Sequence, residues 1–157
     1  MDNFTEDEIA QTVASEVGKW SGTGRILFVD DEEGLVNSGR RGLGMLGYDV
    51  LVASSGMEAF EIYEKNKGTV DLVILDMIMP GMGGGDVFDK LKELDPTVKV
   101  LLSSGYSLDG QARKIMERGC DGFIQKPFDL ETLSEKIQQV LDQDKMAAAA
   151  SPAGTGI

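Results

Sequence analysis

Short apolar runs stand at 25–29 (RILFV), 48–52 (YDVLV), 70–75 (VDLVIL), 98–102 (VKVLL) and 122–125 (GFIQ). Each has the length of a strand. The segments between them change period. Over 56–66, Met57, Ala59, Phe60 and Tyr63 recur at helical spacing, and Ser55 with Glu58 predicts a capping box at the start. Over 86–94 the stripe is Val87, Phe88, Leu91 and Leu94; over 129–143 it is Leu130, Leu133, Ile137, Val140 and Leu141. Five strands alternating with five helices predict a doubly wound α/β fold, a five-stranded parallel sheet with helices on both faces. The runs 72–75 and 100–102 are almost wholly apolar, as strands buried on both faces must be.

Two segments fall outside this unit. In 1–23, Thr5 and Glu8 form a second capping box. Ile9, Val13, Val17 and Trp20 then follow at i, i+4, i+8 and i+11, predicting an amphipathic helix. It would pack on its own domain, make a homodimer contact, or lead in from another domain. At the other end, 144–157 is rich in small residues and is predicted to be disordered. A single domain at 24–143 remains.

Composition narrows the chemistry. The chain has 157 residues, 41% of them apolar, and a net charge of -12. That balance argues against nucleic acid and against anionic membrane surfaces, and it suits a metal cation. No apolar run reaches the roughly 18 residues of a membrane span. The N-terminus, MDNFTEDEIA, is too acidic for a signal peptide. Cys120 is the single cysteine, so no internal disulfide forms, which fits a cytoplasmic protein. With no histidine there is no His-based metal site and no Ser-His or Cys-His nucleophile pair. GLGMLG at 42–47 spells a dinucleotide fingerprint, but it ends a helix and precedes a strand, the reverse of what that motif requires. Gly47 reads instead as a helix C-cap. Cys120 and Met77, Met79 and Met82 read as packing residues rather than soft-metal ligands.

The charged positions fall at the strand ends. FVDDEE at 28–33 closes the first apolar run with four carboxylates, and each close pair of like charges costs on the order of 4 kcal/mol at an effective dielectric near 20. Glu32 and Glu33 read as the start of a helix, where negative charge is favourable. Asp30 and Asp31 remain, and Asp76 ends the third run in the same way. Ser103-Ser104 follows the fourth run and Lys126 the fifth. Open parallel sheets bind ligands outside the carboxyl ends of their strands. These groups therefore gather at one edge, and their oxygen ligands suit a hard cation such as Mg2+, with Mn2+ able to take its place.

FVDDEE, LDMIMPGM, LLSSGY and QKPF, in this order, resemble the receiver domain of two-component response regulators, over roughly 24–143. LLSSGY and WSGTGRILFVDDE are similar to receivers attached to hybrid sensor histidine kinases. The resemblance implies a flavodoxin-like sheet of order 2-1-3-4-5. It implies that Asp76 accepts a phosphoryl group from a phosphohistidine on a partner histidine kinase or histidine phosphotransfer protein. Asp31 would be the direct Mg2+ ligand, with Asp30 acting mainly through water and the Ile78 carbonyl as a further ligand. Ser104 and Lys126 would bind the phosphoryl group, Phe123 would turn inward on activation, and a cis bond to Pro127 would aim the lysine. That change would shift the face of the fourth helix, fifth strand and fifth helix. Ile78 and Tyr106 occupy positions that tune phosphoryl lifetime; both are bulky, which implies slowed hydrolysis. Gly83 departs from the family's usual Asp and Gly85 from its usual apolar residue, which removes a cap from the third helix. Segment 144–157 is too short for an output domain, so the chain would act as a stand-alone switch or as a hybrid-kinase receiver passing phosphate on. A Mg2+-dependent phosphohydrolase would need an acid where Ile78 stands, so catalytic turnover is not expected.

Overall fold

The computed structural model describes residues 22–105, 108 and 110–155, with 143–155 as backbone only. The amphipathic helix expected within 1–23 and the Tyr106 position lie outside the described residues. The elements alternate as expected: β1 (Arg25–Val29), α1 (Glu33–Met45), β2 (Asp49–Ala53), α2 (Gly56–Lys65), β3 (Leu72–Asp76), α3 (Gly84–Leu94), β4 (Val100–Ser104), α4 (Gly110–Glu117), β5 (Gly122–Gln125) and α5 (Leu130–Thr155). All strand pairs are parallel, in the order β2-β1-β3-β4-β5.

The pleat divides the core into two layers. Leu27, Val29, Val73, Leu75, Val100 and Leu102 face α2, α3 and α4, against Tyr63, Phe88 and Ile115. Ile26, Phe28, Leu72, Ile74 and Leu101 face α1 and α5, against Leu43, Leu133 and Ile137. Every residue of β3 and β4 is buried. These strands carry apolar side chains on both faces because both faces are covered.

Local signals work largely as read. Ser55 Oγ accepts from Glu58 N at 3.2 Å. The return half of the box lands one residue earlier, with Glu58 Oε1 accepting from Ser54 N at 2.6 Å. Gly47 follows the last turn of α1 with φ 112°. There a Cβ would also stand 2.5 Å from the Gly22 carbonyl oxygen. In α1, Gly39 has a reason: its Cβ would meet Phe28 Cε2 at 2.4 Å. Cys120, Met77 and Met79 are buried packing residues.

Two boundaries differ from expectation. The third helix starts at Gly84, not 86. Glycine is a poor helix former, but the Gly84 N–H donates to the Met77 carbonyl at 2.8 Å, and a Cβ on Gly84 would stand 2.6 Å from the Asp76 carbonyl oxygen. Close packing on the end of β3 outweighs the poor helix propensity of glycine. At the C-terminus the α5 backbone continues to Thr155, where a disordered tail from 144 was expected. Alanines 147–150 are the strongest helix formers and sustain it.

Candidate functional site

The sheet ends its strands at one edge. Asp30 follows β1, and Asp76 is the last residue of the neighbouring β3. One carboxylate oxygen from each of Asp30, Asp31 and Asp76 lies within 4.8 Å of the others. Asp30 and Asp76 are buried and Asp31 is exposed. The β1–α1 turn orients the first of them, since Asp30 Oδ1 accepts from the Glu32 N–H at 2.9 Å.

Lys126 enters from the far side of the sheet. It follows β5, and its Nζ reaches across to 2.8 Å from Asp30 Oδ2 and 3.4 Å from Asp76 Oδ1. Its third partner is Glu32 Oε1 at 3.2 Å. Glu32 is a member of the site that the sequence did not reveal. It stands at the helix start and makes no side-chain cap bond there. Its ion pair spans 94 residues of chain, beyond any local signal.

One ammonium thus pairs with three carboxylates, in a cluster that holds Asp31 as a fourth. Burial first and the Asp30 charge second push the Asp76 carboxyl up to about 6, against the opposing pull of Lys126 and the Ile78 N–H. Burial would push the Lys126 ammonium down; Asp30, Asp76 and Glu32 outweigh it and raise it to about 12. The cluster is short of positive charge. Its donors are all oxygens, and a six-coordinate hard cation with bonds of about 2.1 Å sets ligand oxygens about 3 to 4 Å apart. The residues present fit a divalent cation of that kind.

Of the remaining expected residues, Ser104 and Phe123 lie on the α2–α4 side of the sheet. Ser104 is buried and follows Leu102 onto the side of α2–α4. Half-buried Phe123 packs in the same layer. The Ser104 carbonyl accepts from the Lys126 N–H at 2.7 Å, tying β4 to the start of the lysine's reach. The Lys126–Pro127 bond is cis. Ile78 is 52% exposed, so its side chain stands at the rim rather than in the cluster. Gly83 precedes α3 with no side-chain cap bond.

Comparison with known proteins agrees with this arrangement. The model of the response regulator receiver domain matches residues 26–138. The chain belongs to the response regulator receiver family. Sensor kinase CckA of Brucella abortus is 37% identical over 123 residues, which are 78% of this chain and 13% of that kinase. The transcriptional regulatory protein PhoP of Bacillus subtilis is 31% identical over 127 residues, 81% of this chain and 52% of that protein. The chain therefore spans between about an eighth and about half of these relatives. Among solved structures, response regulator protein TrrA of Thermotoga maritima in complex with Mg(2+)-BeF is 31% identical, with a TM-score of 0.67 over 75% of this chain and 99% of that one. This receiver is a signalling module of two-component systems. No helix among the described residues is long and apolar enough to cross a membrane.

Proposed function

We propose that this receiver is a phosphorylation switch with Asp76 as its phosphoacceptor. The observation that carries the reading is a buried carboxylate at the end of β3, flanked by two further aspartates and reached by Lys126. Transfer needs little covalent machinery. An Asp76 carboxylate oxygen forms a bond to phosphorus as the bond from phosphorus to the partner's imidazole nitrogen breaks, and the electron pair of that bond returns to the ring. The nucleophile must be ionised, and near neutral pH it is, since its carboxyl titrates at about 6.

Asp31, Asp30, Asp76 and the carbonyl of Ile78 would hold Mg2+, which when bound supplies the positive charge the cluster lacks. That TrrA is solved in complex with Mg(2+)-BeF supports this choice of ion. Lys126 acts as a point charge on a phosphoryl oxygen. The Ser104 hydroxyl donates to another, and Phe123, in the same layer, follows it inward. The shift biases a two-state equilibrium at α4, β5 and α5. Ile78, at the rim, slows the approach of water, and the bulk of Tyr106 at the second lifetime-tuning position acts in the same direction. The same apolar Ile78 leaves no proton donor at the place a phosphohydrolase needs one. Pro127 holds the lysine on course.

The donor is a phosphohistidine of a cytoplasmic histidine kinase or phosphotransfer protein. The match to CckA, in which the aligned segment is 13% of a sensor kinase, favours a receiver module of a hybrid kinase that passes phosphate on. Incubation with a small-molecule phosphodonor and Mg2+, followed by intact mass, tests the central claim. One phosphoryl group is expected on the wild type and none on Asp76→Asn. A gain that survives that substitution refutes the assignment.

A further inference from the structure

The β4 strand ends in two serines, and the pleat sends them to opposite faces. Leu102 lies in the α2–α4 layer, so Ser104 does too. Leu101 lies in the α1–α5 layer, so Ser103 points that way. The same count from Phe28, Ile74 and Ile124, all in that layer, places Asp30, Asp76 and Lys126 on the face of Ser103. Asp76 and Ser103 are register partners on adjacent strands. Partners in a parallel pair lie about 4.8 Å apart with side chains on one face. The Ser103 carbonyl also accepts from the Met77 N–H at 2.8 Å, which locks the register at the acceptor.

Ser103 is 2% exposed, and its hydroxyl has no hydrogen-bond partner among the described residues. A buried orphan hydroxyl is unfavourable, so its position beside Asp76 calls for a partner formed in another state. Lys126 now holds Asp76 Oδ1 at 3.4 Å. When the ammonium turns to a phosphoryl oxygen, that carboxylate oxygen loses its donor. The Ser103 hydroxyl, on the register partner of Asp76 and on the same face, is a donor placed to take over from the lysine. We propose that Ser103 is a positioning residue for the transfer, donating to the Asp76 carboxylate from within the sheet as Lys126 leaves it. This rests on the phosphoacceptor reading above.

Ser134 supplies the control. It is fully buried on α5, and its hydroxyl too has no hydrogen-bond partner among the described residues, but it does not register with Asp76. The test follows phosphoryl uptake from acetyl phosphate at saturating Mg2+ by intact mass, with the melting temperature of every variant measured alongside. Ser103→Ala should slow uptake about tenfold, the effect of about 1.4 kcal/mol, without lowering the melting temperature. Ser103→Thr, which keeps the hydroxyl, should recover most of the rate; Ser103→Cys, which keeps the size with a weaker donor, should not. Ser134→Ala should match the wild type. Uptake by Ser103→Ala and Ser103→Cys within twofold of the wild type overturns the proposal while leaving Asp76 as acceptor. So does equal slowing in Ser134→Ala. A wild type that gains no phosphoryl group overturns the phosphoacceptor reading, and this one with it.

Discussion

Asp76→Asn should make the protein more stable in the absence of divalent cations. The substitution keeps the shape of the side chain and removes one charge from a cluster with four carboxylates and one ammonium. The Asp76 side chain is 6% exposed, so little solvent screening applies. Its carboxyl is pushed from 3.8 to about 6 by burial and then by Asp30, net of the attraction to Lys126. At 1.36 kcal/mol for each pH unit, holding it ionised in the fold costs up to about 3 kcal/mol at neutral pH. Relaxation around the amide trims the gain, and about 1–3 kcal/mol is expected. The pH dependence follows from the sign. The native state keeps the Asp76 proton more tightly than the unfolded chain between about pH 4 and 6, so wild-type stability falls as pH rises through that window. The advantage of the substitution should be full above pH 6 and vanish below about pH 4. Urea unfolding in EDTA, at pH 7.5 and pH 4, measures it as a change in midpoint at constant slope. Saturating Mg2+ should narrow or reverse the difference, since a cation at 100 times its Kd adds about 2.7 kcal/mol to the form that binds it and the variant lacks one carboxylate ligand. Equal or lower stability of Asp76→Asn in EDTA at pH 7.5, with an unchanged slope, would refute the repulsive pocket.

Three further outcomes follow from the geometry. Gly44→Ala and Gly84→Ala should move in opposite directions. Nothing lies within 4 Å of a Cβ at Gly44, so alanine gains about 0.5–1 kcal/mol of helix propensity, whereas at Gly84 the overlap with the Asp76 carbonyl costs more than that gain, and thermal melts separate the two. Lys126→Gln should destabilise the protein in EDTA, because it leaves Asp30 and Asp76 buried without a counter-charge, and Mg2+ should restore much of the loss in the same melt. Burial pushes the Cys120 thiol up to about 11 from 9.0, so the native state keeps that proton longer and stability should fall as pH rises from about 9 to 11; Cys120→Ala should flatten this part of the profile.

The layers of the fold were legible because a doubly wound sheet writes its strands as unbroken apolar runs. β3 and β4 could be found by that feature alone. The three aspartates and Lys126 were legible because each closes such a run. Contacts that join distant segments were not. Glu32 looked like an ordinary helix-start acid, and only the reach of Lys126 from the far edge of the sheet brings it into the cluster. The start of α3 was misplaced because glycine propensity is local, whereas the Asp76 carbonyl that demands Gly84 is a tertiary neighbour. Ser104 was singled out from the sequence by its resemblance to the family, but the face that each serine of β4 takes was known only once the phase of the pleat was seen from Leu101 and Leu102.

The lysine's reach also bears on how the chain is made. Asp30, Asp31 and Asp76 are all synthesised before Lys126, which follows the last strand. A nascent chain that paired β1 with β3 before Lys126 emerged would bring these acids together without the lysine's charge among them. The last strand then delivers both the edge of the sheet and the charge that lets its centre close. Ribosome-bound chains ending before Lys126 would be held open by their own acids or closed by a metal ion from the surrounding solution.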